Sequence, residues 1–232
     1  MTDGAAGKPC IPLVPLPDIV HFPRTALKVQ VSEPRYLRLI HDVLAREEEE
    51  RWVGVVLLKP GWGRDAAGRP EIFPGGTAGR LVEAETVAHG STRILLLGDF
   101  RFEIEEEVGG DAPYRRGVVR PVEEPRLDEQ DAGVVAVRRE LLAKAGRLAA
   151  ELGERFPFTA EEIEDLAGHC GFEELINRLA AACDLPPLRK LQLLTESLPE
   201  RGLSLLSIFD SRRQVLDSLR PFRRLAGGSE HN

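Results

Sequence analysis

The chain has 232 residues, of which 42% are hydrophobic and 30% are charged, and its formal net charge is −7. This length suffices for one sizeable core or for two small domains. The evenly spread acidic balance provides no basic face for sequence-independent nucleic-acid binding, although it leaves room for a local basic patch. No signal-peptide core and no segment of transmembrane length is present, so we expect a cytoplasmic protein that does not enter a membrane.

Residues 11–44 predict two strands followed by a helix. Several prolines interrupt the first strand, and because proline lacks an N–H group this strand is expected at a sheet edge. Residues 27–31 alternate between apolar and polar, which is typical of a half-buried strand. Pro34 suits the first turn of the helix, whose apolar residues recur at helical spacing and would cover one face of the sheet.

The next eighty residues predict short strands. The predicted strands are 52–58, 77–88, 93–97, 100–104 and 114–122. Residues 59–76 form a Gly/Pro-rich loop that is either a binding element or a tolerated insertion. His89-Gly90-Ser91 is predicted to be a hairpin turn, and Gly98-Asp99 is predicted to separate two strands. Short strands with turn signals between them indicate a small closed or nearly closed sheet.

The pattern becomes helical after about residue 125. Thr159 and Glu162 form a capping box that opens one helix. Residues 203–219 predict either a last pair of turns or one longer helix. We therefore predict an α+β fold in four segments. They are a disordered N-terminus (1–10), a β-rich domain (11–125), a helical bundle (126–225) and a disordered tail (226–232).

The sequence contains one candidate pair of catalytic residues. A phosphate-binding P-loop, a G-x-S-x-G elbow and an H-E-x-x-H motif are absent from the sequence. His89 and Ser91 could form part of a hydrolase site, but adjacent residues at a hairpin tip rarely reach the geometry that a nucleophile and its base need. Cys10, Cys170 and Cys183 are scattered and match neither a disulfide framework nor a compact zinc pattern. The sequence thus predicts no catalytic residue, no metal and no cofactor.

Three aromatic residues are the candidate binding site. Trp62 and Phe73 lie in the Gly/Pro-rich loop, and Tyr114 follows a turn. They would anchor an apolar peptide, since aromatic side chains supply much contact area at low entropic cost. An open strand edge would also accept an extended peptide as an added strand. The alternative is that these aromatic side chains plug one end of the barrel.

A series of short motifs along the chain resembles the N-terminal substrate-binding domain of Lon proteases. The motifs are Phe22-Pro23, Glu33-Pro34-Arg35-Tyr36, Gly76-Thr77, the 93–97 strand, Arg101-Phe102 and Pro113-Tyr114. The resemblance extends over about residues 11–219. It implies a small PUA-like pseudo-barrel with one covering helix, followed by a helical bundle, in a stand-alone member without the ATPase and protease domains. It also implies that Arg35 and Arg101 pair with acidic groups inside the fold.

The resemblance favours a non-catalytic module that binds unfolded polypeptide segments or a partner protein. RNA binding is the first alternative, because PUA-like barrels in other families bind RNA, and it would require a positive groove around Arg115, Arg116 and Arg120. A hydrolase at His89 and Ser91 is the second alternative. The identity of the ligand, cooperation with a full-length Lon protease and the oligomeric state stay open at this stage.

Overall fold

The chain forms two compact units. The structure is a computed structural model, and it describes residues 8–64, 69–87 and 90–226. One unit comprises Met1–Glu124 and Asp184–Glu196, and the other comprises Pro125–Cys183 and Ser197–Asn232. Residues 227–232 of the tail predicted to be disordered, residues 1–7 of the N-terminal segment and His89 lie outside the described residues.

The described residues form six strands and six α-helices. The strands are β1 (Cys10–Leu16), β2 (Ala26–Val31), β3 (Trp52–Leu58), β4 (Ile72–Thr86), β5 (Thr92–Val108) and β6 (Arg115–Val122). The helices are α1 (Pro34–Leu44), α2 (Ala132–Leu152), α3 (Ala160–His169), α4 (Phe172–Ala182), α5 (Pro187–Thr195) and α6 (Leu198–Ala226). The predicted α+β class is confirmed, and the last predicted helix is one long helix.

Five of the strands close into a ring. The strand order is β2-β5-β4-β3-β1-β6, and β5 and β6 also pair, so the sheet closes on itself and leaves β2 attached outside the ring. β1 and β3 are parallel, while the other pairs are antiparallel. β5 pairs with β2 through Thr92–Leu97 and with β6 through Arg101–Val108. The predicted closed sheet is thus present, whereas the PUA-like assignment stays a prediction.

β5 is one strand where the sequence predicted two. Gly98-Asp99 was expected to end the first of them, yet β5 runs through both residues. A Cβ atom at Gly98 would overlap the carbonyl oxygen of Phe22. The glycine therefore permits a close approach of two backbones, at a point where the pairing of β4 and β5 also shifts register.

The Phe22-Pro23 motif forms the tight turn that leads into β2. Arg24 has a φ of 60°, its N–H donates to the Gly98 carbonyl, and the Gly98 N–H donates to the Thr25 carbonyl (both 2.9 Å). This is the pattern of a G1 bulge, with Arg24 in the position that glycine usually occupies. The Thr25 hydroxyl donates to the Phe22 carbonyl at 2.7 Å and closes the turn. The motif is therefore architectural.

Two hydrophobic clusters stabilise the first unit. One fills the ring and includes Ile11, Leu13, Ala78, Phe102 and Val119. The other lies between α1 and the sheet, and its members include Leu39, Ile40 and Val43 of the helix together with residues of all strands except β6. Pro34 begins α1, as predicted, and Glu33 is the N-cap residue without a side-chain cap hydrogen bond. The expected covering helix is thus present.

A later segment of the chain completes the first unit. Helix α5 was predicted to belong to the helical bundle, yet Asp184–Glu196 groups with the β-rich unit. The buried Arg101 explains this placement. Its guanidinium donates to the carbonyl oxygens of Leu194 (2.5 Å) and Glu196 (2.9 Å), and its Nε lies 2.7 Å from Glu124. Arg101 therefore pairs inside the fold, as the resemblance implied, and it also satisfies carbonyls at the end of α5.

The second unit is helical. Helix α6 packs against α2 and α4, and α3 packs against α2. The predicted capping box is confirmed, since the Thr159 hydroxyl accepts from the Glu162 N–H and the Glu162 carboxylate accepts from the Thr159 N–H. Arg201 is fully buried and donates to Asn177. Among the described residues, no helix is both long and apolar enough to span a bilayer.

Candidate functional site

A groove of about 520 Å³ lies on the surface of the first unit. Its described lining residues are 14–17, 29–33, 35–36, 109–110 and 112–115, together with Leu58, Trp62, Arg69 and Pro70. The ends of β1 and β2, the start of α1 and the segment before β6 thus form its walls. The apolar members include Val14, Leu16 and Leu58. This volume is within the range of ligand sites in proteins.

One wall is the end of β1, where the strand loses a neighbour. β6 begins at Arg115, which pairs with Leu13, so residues 14–16 of β1 pair only with β3 within the described part of the sheet. Alternate residues of β1 turn their backbone groups to β6, as the bond from the Val119 N–H to the Pro9 carbonyl indicates. Continuing that alternation places Pro15 on the β6 side. This wall therefore presents a carbonyl but no N–H donor.

The other wall is the outer edge of β2. The Gly98 N–H donates to the Thr25 carbonyl, so residues 25, 27, 29 and 31 turn their backbone groups to β5. Lys28 and Gln30 then turn their N–H and C=O groups to the opposite side, where no strand lies among the described residues. Gln30 also lines the groove. β2 thus offers both donors and acceptors to an added strand, which Pro15 cannot do.

The structure brings together two of the three predicted anchors. Trp62 lies in a short 3-10 segment after β3, lines the groove and is 47% exposed. Tyr114 also lines it but is nearly buried, and its hydroxyl donates to Asp42 at 2.9 Å. Phe73 lies in β4 and is not among the lining residues. A different aromatic residue, Trp52, packs against the hydrophobic cluster that fills the ring, where its side chain meets the Phe100 ring edge-on. Peptide binding by the three anchors stays a prediction.

Both tyrosines of the groove keep neutral phenols at physiological pH. Burial raises the pKa of Tyr114, and the hydrogen bond to Asp42 raises it further. Burial also raises the pKa of Tyr36, partly offset by the charge of Arg35. The desolvation of Asp42 would raise the pKa of its carboxyl group, but hydrogen bonds from Arg38, Tyr114 and His41 outweigh it and lower that pKa. Tyr114 is therefore held by an ionised acceptor and forms a fixed part of the wall.

Arginine side chains add positive charge to the groove. The Arg35 guanidinium lies 4.8 Å above the Tyr36 ring, and its Nε donates to Glu33 at 2.8 Å. Arg115 lies 3.5 Å from Glu107, and Arg69 is exposed. The sequence did not indicate Arg35 and Tyr36 as groove residues, because the resemblance implied that Arg35 pairs with an acidic group inside the fold. Arg35 pairs instead with the exposed Glu33. The available signal was the position of Arg35 and Tyr36 directly after β2, where a strand end meets a helix start.

The described residues give little support to a hydrolase site, a metal site or RNA binding. Ser91 is buried and its hydroxyl accepts from the Gln30 side chain at 2.9 Å, while its proposed partner His89 lies outside the described part of the chain. No cluster of three His, Cys, Asp or Glu residues suited to a metal ion occurs in the described ranges. Of the three arginines proposed for RNA binding, Arg115 lines the groove, whereas Arg120 forms ion pairs with Glu103 and Glu105.

The chain is similar to Lon proteases in sequence. The family model described as the ATP-dependent protease La (LON) substrate-binding domain matches residues 10–209. The Lon protease of Anaeromyxobacter dehalogenans is 27% identical over 208 residues, covering 89% of this chain and 24% of that protein. Lon protease 2 of Myxococcus xanthus is 27% identical over 207 residues, with the same two coverages. The chain thus spans about a quarter of the length of the curated relatives it matches.

The fold is that of two solved structures. The N-terminal domain of the Mycobacterium avium complex Lon protease aligns with a TM-score of 0.64 and 18% identity, covering 87% of this chain and 98% of that one. The Lon N-terminal domain protein from Xanthomonas campestris aligns with a TM-score of 0.54 and 22% identity, covering 86% and 98%. These likenesses establish the fold.

Proposed function

Because the chain belongs to the family of the ATP-dependent protease La (LON) substrate-binding domain, we propose that it binds unfolded polypeptide segments of protein substrates in the groove between β1 and β2. The observation that carries the proposal is the outer edge of β2. Its backbone donors and acceptors border a groove that contains an exposed tryptophan. Extended segments are bound in this way when they add a strand to a sheet.

The composition of the groove supports a protein ligand. Trp62, Tyr36 and Arg35 belong to the residue types that dominate binding energy at protein interfaces. The apolar floor gives side chains of the segment a surface to cover, while backbone pairing with β2 is independent of the segment's sequence. Such a site suits substrates that share extended backbone rather than one sequence.

The first experiment measures peptide binding by fluorescence anisotropy. The probe is an acetylated and amidated peptide in which valine and phenylalanine alternate with serine and glutamine. We expect Trp62→Ala to weaken binding about tenfold. The matched control is Leu188→Ala, because Leu188 is an exposed apolar residue of α5 outside the groove and is 50% exposed. Equal losses in the two variants would exclude the groove as the site.

The second experiment separates strand addition from side-chain contact. Gln30→Ala removes the side chain that lines the groove, and Gln30→Pro removes in addition the N–H that faces away from β5. We expect Gln30→Pro to bind the peptide several-fold more weakly than Gln30→Ala, since only the former lacks the edge donor. Identical affinities of the two variants would contradict pairing at β2.

A further inference from the structure

The groove carries a charge opposite to that of the whole chain. The chain has a net charge of −7, yet the described charged residues of the groove are three arginines and one glutamate. They are Arg35, Arg69, Arg115 and Glu33. The Glu33 carboxylate lies 2.7 Å from Arg35 and so neutralises one of the three cations. The groove is therefore a positive site on an acidic protein, and it favours a ligand that brings carboxylates.

Arg115 is a buried cation whose hydrogen-bonding groups the fold satisfies only in part. Its side chain is only 11% exposed, and its Nε lies 3.5 Å from Glu107, beyond the length of a good charge-assisted hydrogen bond. Its Nη1 is buried and has no hydrogen-bond partner within the described residues. A desolvated cation with one distant carboxylate is unfavourable by itself. A carboxylate entering the groove would stabilise it, and low local polarity would strengthen that attraction.

Arg35 is held close to the apolar part of the groove. Its guanidinium lies over the Tyr36 ring, and Arg35 follows the end of β2 by four residues. In an extended segment, side chains two positions apart lie on the same face. One segment paired with β2 can therefore place an apolar side chain beside Val29 or Val31 and an acidic side chain near the arginines.

We infer that the groove prefers extended segments in which an aspartate or glutamate lies two positions from an apolar residue, on the same face of the segment, an inference that rests on the proposed function. The occupant is a polypeptide with internal carboxylates. A single-stranded nucleic acid would also meet arginines and aromatic rings, but it has no backbone N–H and C=O groups to pair with β2. Arg116 and Arg120 would extend a binding track for phosphates. Arg116, however, donates to the Gly109 carbonyl, and Arg120 pairs with the carboxylates of Glu103 and Glu105.

The test compares four acetylated peptides with the same valine and phenylalanine positions. Two internal residues are glutamate, glutamine or lysine in the first three peptides, which are amidated, and the fourth has the glutamines with a free C-terminal carboxylate. We expect the glutamate peptide to bind about fivefold more tightly than the glutamine peptide at low ionic strength, and the lysine peptide to bind most weakly. The preference should shrink as salt is added, because exposed charges are screened.

Variants identify the cations. Arg69→Gln and Arg35→Gln are each expected to lower the ratio of glutamate to glutamine affinity about twofold, because each removes one cation from the groove. Arg80→Gln is the matched control, because Arg80 is an exposed arginine of β4 outside the groove. Thermal melts of each variant verify folding, so that a lost preference is not confused with a lost structure.

Each alternative outcome has a separate meaning. Equal binding of the glutamate and glutamine peptides, with both weakened by Trp62→Ala, overturns the acidic preference and leaves the proposed function standing. Tighter binding seen only with the free C-terminal carboxylate also overturns the acidic preference, because the arginines would then bind the end of the peptide rather than its internal side chains. Displacement of the peptide by oligouridylate, with tighter binding of the oligonucleotide than of any peptide, contradicts both proposals in favour of RNA. Absence of binding to all four peptides contradicts the proposed function itself.

Discussion

The interior of the barrel and the groove use their residues in different ways. Inside the ring, Leu13, Ala78 and Val119 are fully buried, and a Cβ atom on Gly76 would overlap the Val55 carbonyl oxygen. In the groove, Trp62 is half exposed and the outer edge of β2 has no strand partner among the described residues. Packing determines the first set of residues, because the interior has no spare volume. We expect the stability of the fold to depend little on the second set, and we assign binding to it.

The family motifs divide between these two regions. Phe22 and Phe102 are buried, and Gly76 lies against Phe102 inside the ring. Arg35 and Tyr36, from the E-P-R-Y motif, line the groove instead. A motif can therefore serve the architecture with one residue and the surface with the next. Substitutions in the two regions should therefore differ in the stability that they remove.

The largest loss of stability is expected from Arg101→Met. The change removes the guanidinium that pairs with Glu124 and donates to two carbonyls at the end of α5. Breaking such a buried pair costs about 3–5 kcal/mol. Urea unfolding measures the loss, and hydrogen exchange should show faster exchange in Pro187–Thr195 than in the strands. Arg120→Met, at an exposed pair, should cost less than about 1 kcal/mol; equal costs would contradict the role given to Arg101.

Gly76→Ala should follow, with a loss of about 1–3 kcal/mol from overpacking. The added methyl group would overlap the Val55 carbonyl and lie 3.0 Å from the Phe102 ring. Gly63→Ala is the control, because among the described residues no atom beyond its two chain neighbours lies within 4 Å of the position that its Cβ would occupy. It should change the free energy of unfolding by less than about 0.5 kcal/mol. A neutral Gly76→Ala would mean that the ring has room that we do not attribute to it.

A smaller loss of stability, which appears as the pH falls, is expected from the buried imidazole of His21. Burial lowers the pKa of its imidazole below the ordinary value of 6.5, partly offset by the hydrogen bond that Nε2 donates to the Thr25 carbonyl. The unfolded chain therefore binds a proton that the folded chain does not, so stability falls as the pH drops from about 6.5 towards the lowered pKa. Urea unfolding at pH 7.5 and 5.5 should show a smaller decrease in His21→Gln than in the unchanged protein. An identical decrease would exclude His21 as the cause.

The smallest effect on stability is expected from Trp62→Ala. Because the side chain is 47% exposed, the free energy of unfolding should change by about 0.5 kcal/mol or less. The same variant should lose about tenfold in peptide affinity, as proposed above. Paired measurements of unfolding and binding thus separate the groove from the interior. A large loss of stability would place Trp62 in the architecture and remove the distinction.

Local sequence patterns predicted the elements better than their connections. The strand at Trp52–Leu58, the helix that begins at Pro34 and the capping box at Thr159 all follow from rules within a few residues. The continuous β5 could not be predicted, because Gly98 is explained by Phe22, which lies far away in sequence. The placement of α5 depends likewise on Arg101, 93 residues before Leu194.

The groove was predictable only in part. Trp62 and Tyr114 were recognised as aromatic residues in loops or after turns, and the structure brings both to one site. Arg35 and Tyr36 were not, since helix periodicity does not tell which side chains of a first turn meet the end of a neighbouring strand. Phe73 does not line the groove, and this depends on the register of β4 with β3, which cannot be derived from a single sequence.

The binding of Arg101 to the end of α5 has a consequence for synthesis of the protein. The ring strands leave the ribosome first, yet Leu194 and Glu196 emerge more than ninety residues after Arg101. Until then the Arg101 guanidinium can pair with Glu124, but the carbonyl groups of Leu194 and Glu196 that it also binds have not yet been synthesised. The nascent β-rich unit should therefore mature late and stay vulnerable to proteolysis while the intervening helices are being made.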